Sequence, residues 1–146
     1  YPSTVAEAKL RWLLGRVLAI KGALRNARRG DPATSIAVAA EIAQCMWRMC
    51  CLAERRPYPY PKWLACAASE TRMGAALCPL IDRAMTHIGE IVARPDVTSH
   101  REWTPVSELE ACIKRAPSIL SDLGWDGAWV DGPTPAIAAA MHGAMP

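Results

Sequence analysis

Apolar residues recur along this chain at the spacing of a helix rather than a strand. Leu10, Leu13, Leu14, Val17, Leu18 and Leu24 form one stripe, with Lys9, Arg16 and Arg28 off it. The pattern predicts a first helix. Thr4 and Glu7 stand at capping-box spacing, in which each side chain satisfies a free backbone donor. The helix is therefore expected to begin near Thr4 and to stop at Gly30. Asp31 and Pro32 read as the N-cap and first-turn proline of a second helix running to about Arg55. Its buried stripe is Ile36, Ala39, Ala43, Met46, Trp47, Cys50 and Ala53. Glu41, Gln44, Arg48 and Arg55 fall on another face.

Prolines then break the pattern. Pro57, Pro59 and Pro61 alternate with Tyr58 and Tyr60, and such a run cannot continue a helix. It reads as a stiff, extended connector. A third helix is predicted from Pro61 or Lys62, carrying Trp63, Leu64 and Ala67 and ending near Gly74. A fourth carries Leu77, Leu80, Ile81, Met85, Ile88 and Val92 and is closed by Pro95, with Pro79 either starting or kinking it.

Beyond this the signal thins. Residues 96–103 read as a polar loop, and Thr104 with Pro105 opens a helix faced by Val106, Leu109, Cys112 and Ile113. Gly124, Gly127, Gly132, Pro133 and Pro135 mark an irregular stretch around Trp125 and Trp129, and a short last helix is expected over 135–141. No strict alternation flanked by turn signals predicts a strand. The expectation is an all-α, single-domain, up-down bundle of about five to seven helices. At its centre is a helix–turn–helix unit, 36–68, whose Arg and Lys face a common cleft.

Composition narrows the reading. A chain of 146 residues is one domain by length, and with 51% apolar residues it can bury a core. The formal charge of +3 is not concentrated in any run. It suits an anionic ligand but does not argue for nucleic acid. No stretch of about 18 uncharged apolar residues suggests a membrane span, and no signal peptide is apparent. Six cysteines, at 45, 50, 51, 66, 78 and 112, form no CxxC pair. Placed among apolar residues in predicted helices, they read as reduced, buried thiols of a cytoplasmic protein. The chain starts at Tyr1 rather than Met, as a processed or trimmed chain or a piece of a longer one would.

Candidate chemistry gathers around the connector. Lys62 falls in the first turn of a helix, where the backbone already carries partial positive charge and lysine is disfavoured. A cation beside free backbone amides makes an anion site, most simply for phosphate. The short connector sets the second and third helices antiparallel, so Arg48 can share a cleft with Lys62, and Arg55 and Arg56 stand close enough to add charge. A solvated Lys62, with Arg48 paired to Glu41 or Gln44, is the plainer alternative. Trp12, Trp47, Tyr58, Tyr60 and Trp63 could line a pocket for a flat or sugar-like ligand, or could serve packing alone.

The same residues carry a resemblance. Glu54-Arg55-Arg56-Pro57-Tyr58-Pro59-Tyr60-Pro61-Lys62-Trp63-Leu64, approached by Met46-Trp47-Arg48-Met49, resembles the signature of a helical domain that follows bacterial nucleotidyltransferase domains. Tyr1-Pro2, Arg25 and Gly30-Asp31 fit the upstream part loosely, and Pro57 stands where that family usually has an aromatic. The likeness covers about residues 1–92 and leaves 93–146 unassigned. Wider relatives are the aminoglycoside and lincosamide nucleotidyltransferases, whose helical C-terminal domain closes over a nucleotide held on a separate catalytic domain. The resemblance implies that Arg48 and Lys62 contact nucleotide phosphates, with a catalytic domain as partner. It implies Mg²⁺ and ATP or another nucleoside triphosphate as cofactors of the joined enzyme.

The catalytic half is not in this sequence. Nucleotidyl transfer needs carboxylates holding Mg²⁺, and the resemblance would supply them from a Gly-Ser motif followed by Asp-x-Asp. Neither occurs here. Asp122 and Asp126 lie four apart in a Gly- and Trp-rich stretch and make poor metal ligands. No metal or cofactor is expected on this chain alone. His87 reads as a core or edge histidine. Arg94 and His100 have the spacing of helical RNases, but Pro95 fits that motif badly. Cys51, near Arg55, is a weak nucleophile candidate. Three functions therefore compete: a nucleotidyltransferase's nucleotide-binding helical domain, a free-standing small-molecule-binding protein, and an enzyme with its own chemistry in the same cleft.

Overall fold

Residues 2–24, 32–93 and 104–131 are described by a computed structural model. They form α1 (Ser3–Ile20), α2 (Pro32–Ala53), α3 (Pro61–Ser69), α4 (Arg72–Ala93), α5 (Thr104–Asp122) and the single turn α6 (Ala128–Asp131). No strand occurs among them, and the all-α expectation holds.

Side-chain pairs fix the directions of the helices. Arg16 of α1 meets Glu41 of α2 at 2.6 Å, while Arg55, just past α2, reaches Ser3 at the start of α1. The two helices therefore run antiparallel. Glu54 at the end of α2 meets Arg72 at the start of α4, so α4 runs back against α2. Arg83 of α4 pairs with Glu108 of α5 at 3.0 Å, and Leu77 pairs with Cys112, which reverses the direction again. The order is up-down-up-down, with α3 as a short link between α2 and α4.

α2 is the central helix and packs on α1, α3, α4 and α5. A helix packed against four neighbours must be apolar over most of its surface. Ile42, Met46, Met49 and Leu52 are fully buried, against Leu10 of α1, Leu64 of α3, Met73 and Leu77 of α4, and Leu109 and Leu120 of α5. The same composition makes Ala33–Ala53 the one helix among the described residues long and apolar enough to cross a membrane. In that window 56% is buried inside the bundle, the mark of a core helix.

Several boundaries depart from expectation. The Thr4–Glu7 capping box does not form. α1 starts one residue earlier, at Ser3, and the Pro2 carbonyl accepts the Val5 and Ala6 amides at 3.1 and 3.0 Å, with no side-chain cap. Proline has no N–H of its own but a free carbonyl, so it begins the ladder by itself.

Gly74 does not end α3. It lies in the first turn of α4, because Thr71 caps that helix: its Oγ1 accepts the Gly74 amide at 2.9 Å and donates to the Ala68 carbonyl at 2.7 Å. Pro79 starts nothing, for α4 begins at Arg72 and runs through it. The stretch around Trp129 is less irregular than its glycines suggest and holds α6. Gly30, Asp31, Arg28, Arg94, Pro95, His100, residues 96–103 and the helix expected over 135–141 lie outside the described residues.

Candidate functional site: the connector between α2 and α3

The connector starts where α2 ends, and the ending is unusual. Arg55 has φ 58°. Its amide donates to the Leu52 carbonyl at 2.8 Å, and the Arg56 amide donates to the Cys51 carbonyl at 3.1 Å. These are the two bonds of a Schellman motif, which normally places glycine at the left-handed position. The arginine is held there by its side chain. Its Nε donates to Ser3 Oγ at 3.2 Å, and the guanidinium lies 4.6 Å from the centre of the Trp125 ring.

Trp125 is set in place by a second Schellman motif, at the end of α5. Gly124 (φ 81°) takes the left-handed position, and the Trp125 amide reaches the Leu120 carbonyl at 3.0 Å. The buried Trp125 indole then donates to the Ala53 carbonyl at 2.8 Å. That contact satisfies a carbonyl that the end of α2 would otherwise leave without a partner.

The two neighbours of Arg55 are also engaged. The Glu54 carboxylate accepts the Arg72 backbone amide at 2.5 Å, a favourable place for negative charge at the start of α4. Arg56 pairs with the same carboxylate at 3.4 Å. Glu54, Arg55 and Arg56 therefore join α2 to α1, α4 and the end of α5.

Tyr58 gathers cations. Its half-buried ring has Arg48 of α2 at 5.7 Å and Lys9 of α1 at 5.5 Å from its centre. Arg48 also donates to the Gln44 amide oxygen at 3.4 Å. Among the described residues both partners of Arg48 are neutral. Lys62 follows at the start of α3, a helix opened by Pro61 without a side-chain cap at Tyr60. Lys62 is exposed, and its Nζ lies 5.3 Å from the centre of the Trp63 ring. No hydrogen bond, ion pair or ring contact joins Lys62 to Arg48, and no carboxylate pairs with either, among the described residues.

Of the four sequence-nominated cations, Arg56 is paired with Glu54 and Arg55 is committed to Ser3 and Trp125, while Arg48 and Lys62 meet only neutral partners within or next to their own helices among the described residues. The nominated aromatics divide in the same way. Tyr58 and Trp47 are half-buried, whereas Tyr60 and Trp63 stand 75% and 59% exposed on the surface and do not line an enclosed pocket. Half-buried Trp12 and Trp47 each keep a buried indole N–H without a partner among the described residues.

Sequence reasoning missed Lys9 and Trp125. Lys9 could have been found: it is off the apolar stripe of α1, and the antiparallel register that joins Arg16 to Glu41 carries it to the level of Arg48. Trp125 had no such signal, because it comes from a distant part of the chain.

The remaining candidates carry no assembled chemistry. Asp122 and Asp126 are exposed, and no three His, Cys, Asp or Glu side chains group for a metal among the described residues. His87 is half-buried on α4, with its buried Nδ1 unpartnered. Burial pushes the Cys51 thiol up, and Arg56 opposes that only in part, so Cys51 is not an activated nucleophile.

These features define an all-helical domain with a cationic, aromatic connector at the junction of α1, α2 and α3. Residues 1–64, which end two residues after Lys62, match the model of a family described as a domain of unknown function (DUF4037). No curated protein matches the chain. No solved structure matches it.

Proposed function

We propose that this domain binds the phosphates of a nucleotide or a similar anionic small molecule at Arg48 and Lys62, as the helical half of a nucleotidyltransferase. The metal-holding catalytic half would lie on another domain or partner, with Mg²⁺ and ATP or another nucleoside triphosphate. One observation carries the reading: Arg48 and Lys62, unlike Arg56, have no carboxylate partner among the described residues, and neither bridges two helices as Arg55 does through Ser3 and Trp125. The Tyr58 ring holds both Arg48 and Lys9, and Lys62 stands in the first turn of α3, whose start has no side-chain cap. The resemblance of the signature to nucleotidyltransferase-associated domains supports the same assignment, and the free thiols suit a cytoplasmic setting.

Calorimetric titration of ATP and of inorganic triphosphate into the full chain tests this. A charge-assisted contact to phosphate contributes roughly 1.5–3 kcal/mol. Arg48→Ala and Lys62→Ala should each weaken binding about ten-fold or more, and Arg56→Ala should change it little. Equal affinity in wild type, Arg48→Ala and Lys62→Ala rejects the site.

A second reading, an uncharged small-molecule ligand, has the unpartnered indole N–H groups of Trp12 and Trp47 in its favour. Protection of tryptophan fluorescence by an uncharged ligand, unchanged in Arg48→Ala, would select it.

A further inference from the structure

The start of α3 leaves two large aromatic rings in water. Among the described residues the exposed large hydrophobic side chains are Val5, Tyr60 and Trp63, and two of these three stand within one turn of each other. Each forgoes the gain that burying its ring would bring. Neither is loosely held. Tyr60 lies between Pro59 and Pro61, whose rings fix the backbone, and Pro61 opens α3. The Trp63 amide donates to the Tyr60 carbonyl at 3.0 Å, and Leu64, next along, is buried in the core. The indole is thus presented on a fixed turn, so little freedom remains to be lost when something lies against it.

Charge narrows what that can be. The Lys62 ammonium lies 5.3 Å from the centre of the Trp63 ring. A polycation on this face is repelled, and an apolar partner surface would have to strip water from the ammonium without replacing it. A flat ring that carries an anion satisfies both neighbours at once: the ring lies on the indole and the anion meets the lysine.

We infer that Trp63 is an open stacking platform for the base of a nucleotide whose phosphates Lys62 takes up. The inference rests on the anion-site reading given above and adds the second half of the ligand to it. An ammonium over an exposed ring is held more weakly than one hydrogen-bonded to phosphate. Lys62 therefore leaves the indole as the phosphate arrives, and the base takes the face it vacates. Two residues adjacent in sequence then recognise the two chemically distinct parts of one ligand. Every base has such a face, so the platform selects for the presence of a base rather than for one base over another.

The test titrates ATP and inorganic triphosphate, by calorimetry, into the full chain and into Trp63→Ala and Trp63→Phe. Stacking predicts that Trp63→Ala weakens ATP about ten-fold and leaves triphosphate unchanged, while Trp63→Phe keeps most of the affinity for ATP. Tryptophan fluorescence gives a second readout. Among the described tryptophans Trp63 alone is exposed, with Trp12 and Trp47 half-buried and Trp125 and Trp129 buried. ATP should quench the emission, triphosphate should not, and Trp63→Phe should remove the quench. Equal affinity of wild type and Trp63→Ala for ATP, an equal loss for ATP and triphosphate, or a quench that survives in Trp63→Phe overturns the platform. The Arg48→Ala and Lys62→Ala titrations with triphosphate decide the anion site separately. Failure of the wild type to bind either ligand overturns both.

Discussion

Arg55 occupies a backbone conformation that most side chains avoid. At φ 58° it ends α2 in the left-handed region, where a residue with a Cβ is disfavoured by roughly 1–2 kcal/mol. Its guanidinium offsets this by lying over Trp125, a contact contributing about 0.5–1 kcal/mol at an exposed site. Two variants separate these effects. Arg55→Gly loses the stacking but relieves the backbone and should be close to wild type in urea unfolding. Arg55→Ala loses the stacking and keeps the strain, so it should be less stable than Arg55→Gly by about 1 kcal/mol. Equal stabilities would mean that the left-handed turn is not maintained. The arginine was legible in the sequence as a cation near a turn. Its structural part was not, because the partner lies 70 residues further along the chain.

At the scale of elements, the junction of α3 and α4 turns on three residues. Thr71 caps α4, Glu54 receives its first amide, and Gly74 allows the close approach. A Cβ at Gly74 would stand 1.8 Å from the Ala68 carbonyl oxygen, which is backbone and cannot swing away. Replacing a mid-helix glycine by alanine ordinarily stabilises by about 0.5–1 kcal/mol. Here the sign reverses: Gly74→Ala should lower the melting temperature, and Thr71→Ala should cost about 1 kcal/mol. A neutral or stabilising Gly74→Ala would show that the two helices meet differently. The helices themselves were readable from apolar spacing, and the proline-rich connector from its composition. This boundary was not, because glycine ends many helices and only the threonine hydroxyl, seen in place, shows that Gly74 lies inside the first turn of one.

Across the whole molecule, the thiols report how the bundle is closed. Five of the six cysteines are buried and Cys66 alone is exposed. The expectation of buried cysteines therefore holds except at Cys66, which falls on the outer face of the short α3 link. Burial also pushes the Cys45 thiol up to about 11, which slows its reaction further. Titration with a coloured disulfide reagent should show one fast thiol in the native protein and six after denaturation. Cys66→Ser should remove the fast phase. Several fast thiols in the native state would contradict the packing of α2 against its neighbours.

The sequence by itself determined the helical class, the up-down order of the main helices and the stiffness of the connector. These depend on local spacing and on the backbone limits of proline, both of which act within a few residues. It also singled out Lys62, because a cation at a helix start is disfavoured wherever it occurs, and the connector's other cations by their place around it. Only the tertiary structure decided what each cation does. Arg56 pairs with Glu54 and Arg55 reaches Ser3 and Trp125 on other elements, while among the described residues Arg48 meets the Gln44 amide and the Tyr58 ring. It likewise decided that Gly74 lies in the first turn of α4 rather than at the end of α3. Each of these outcomes depends on which distant residue packs against a given position, and spacing along one chain does not contain that information.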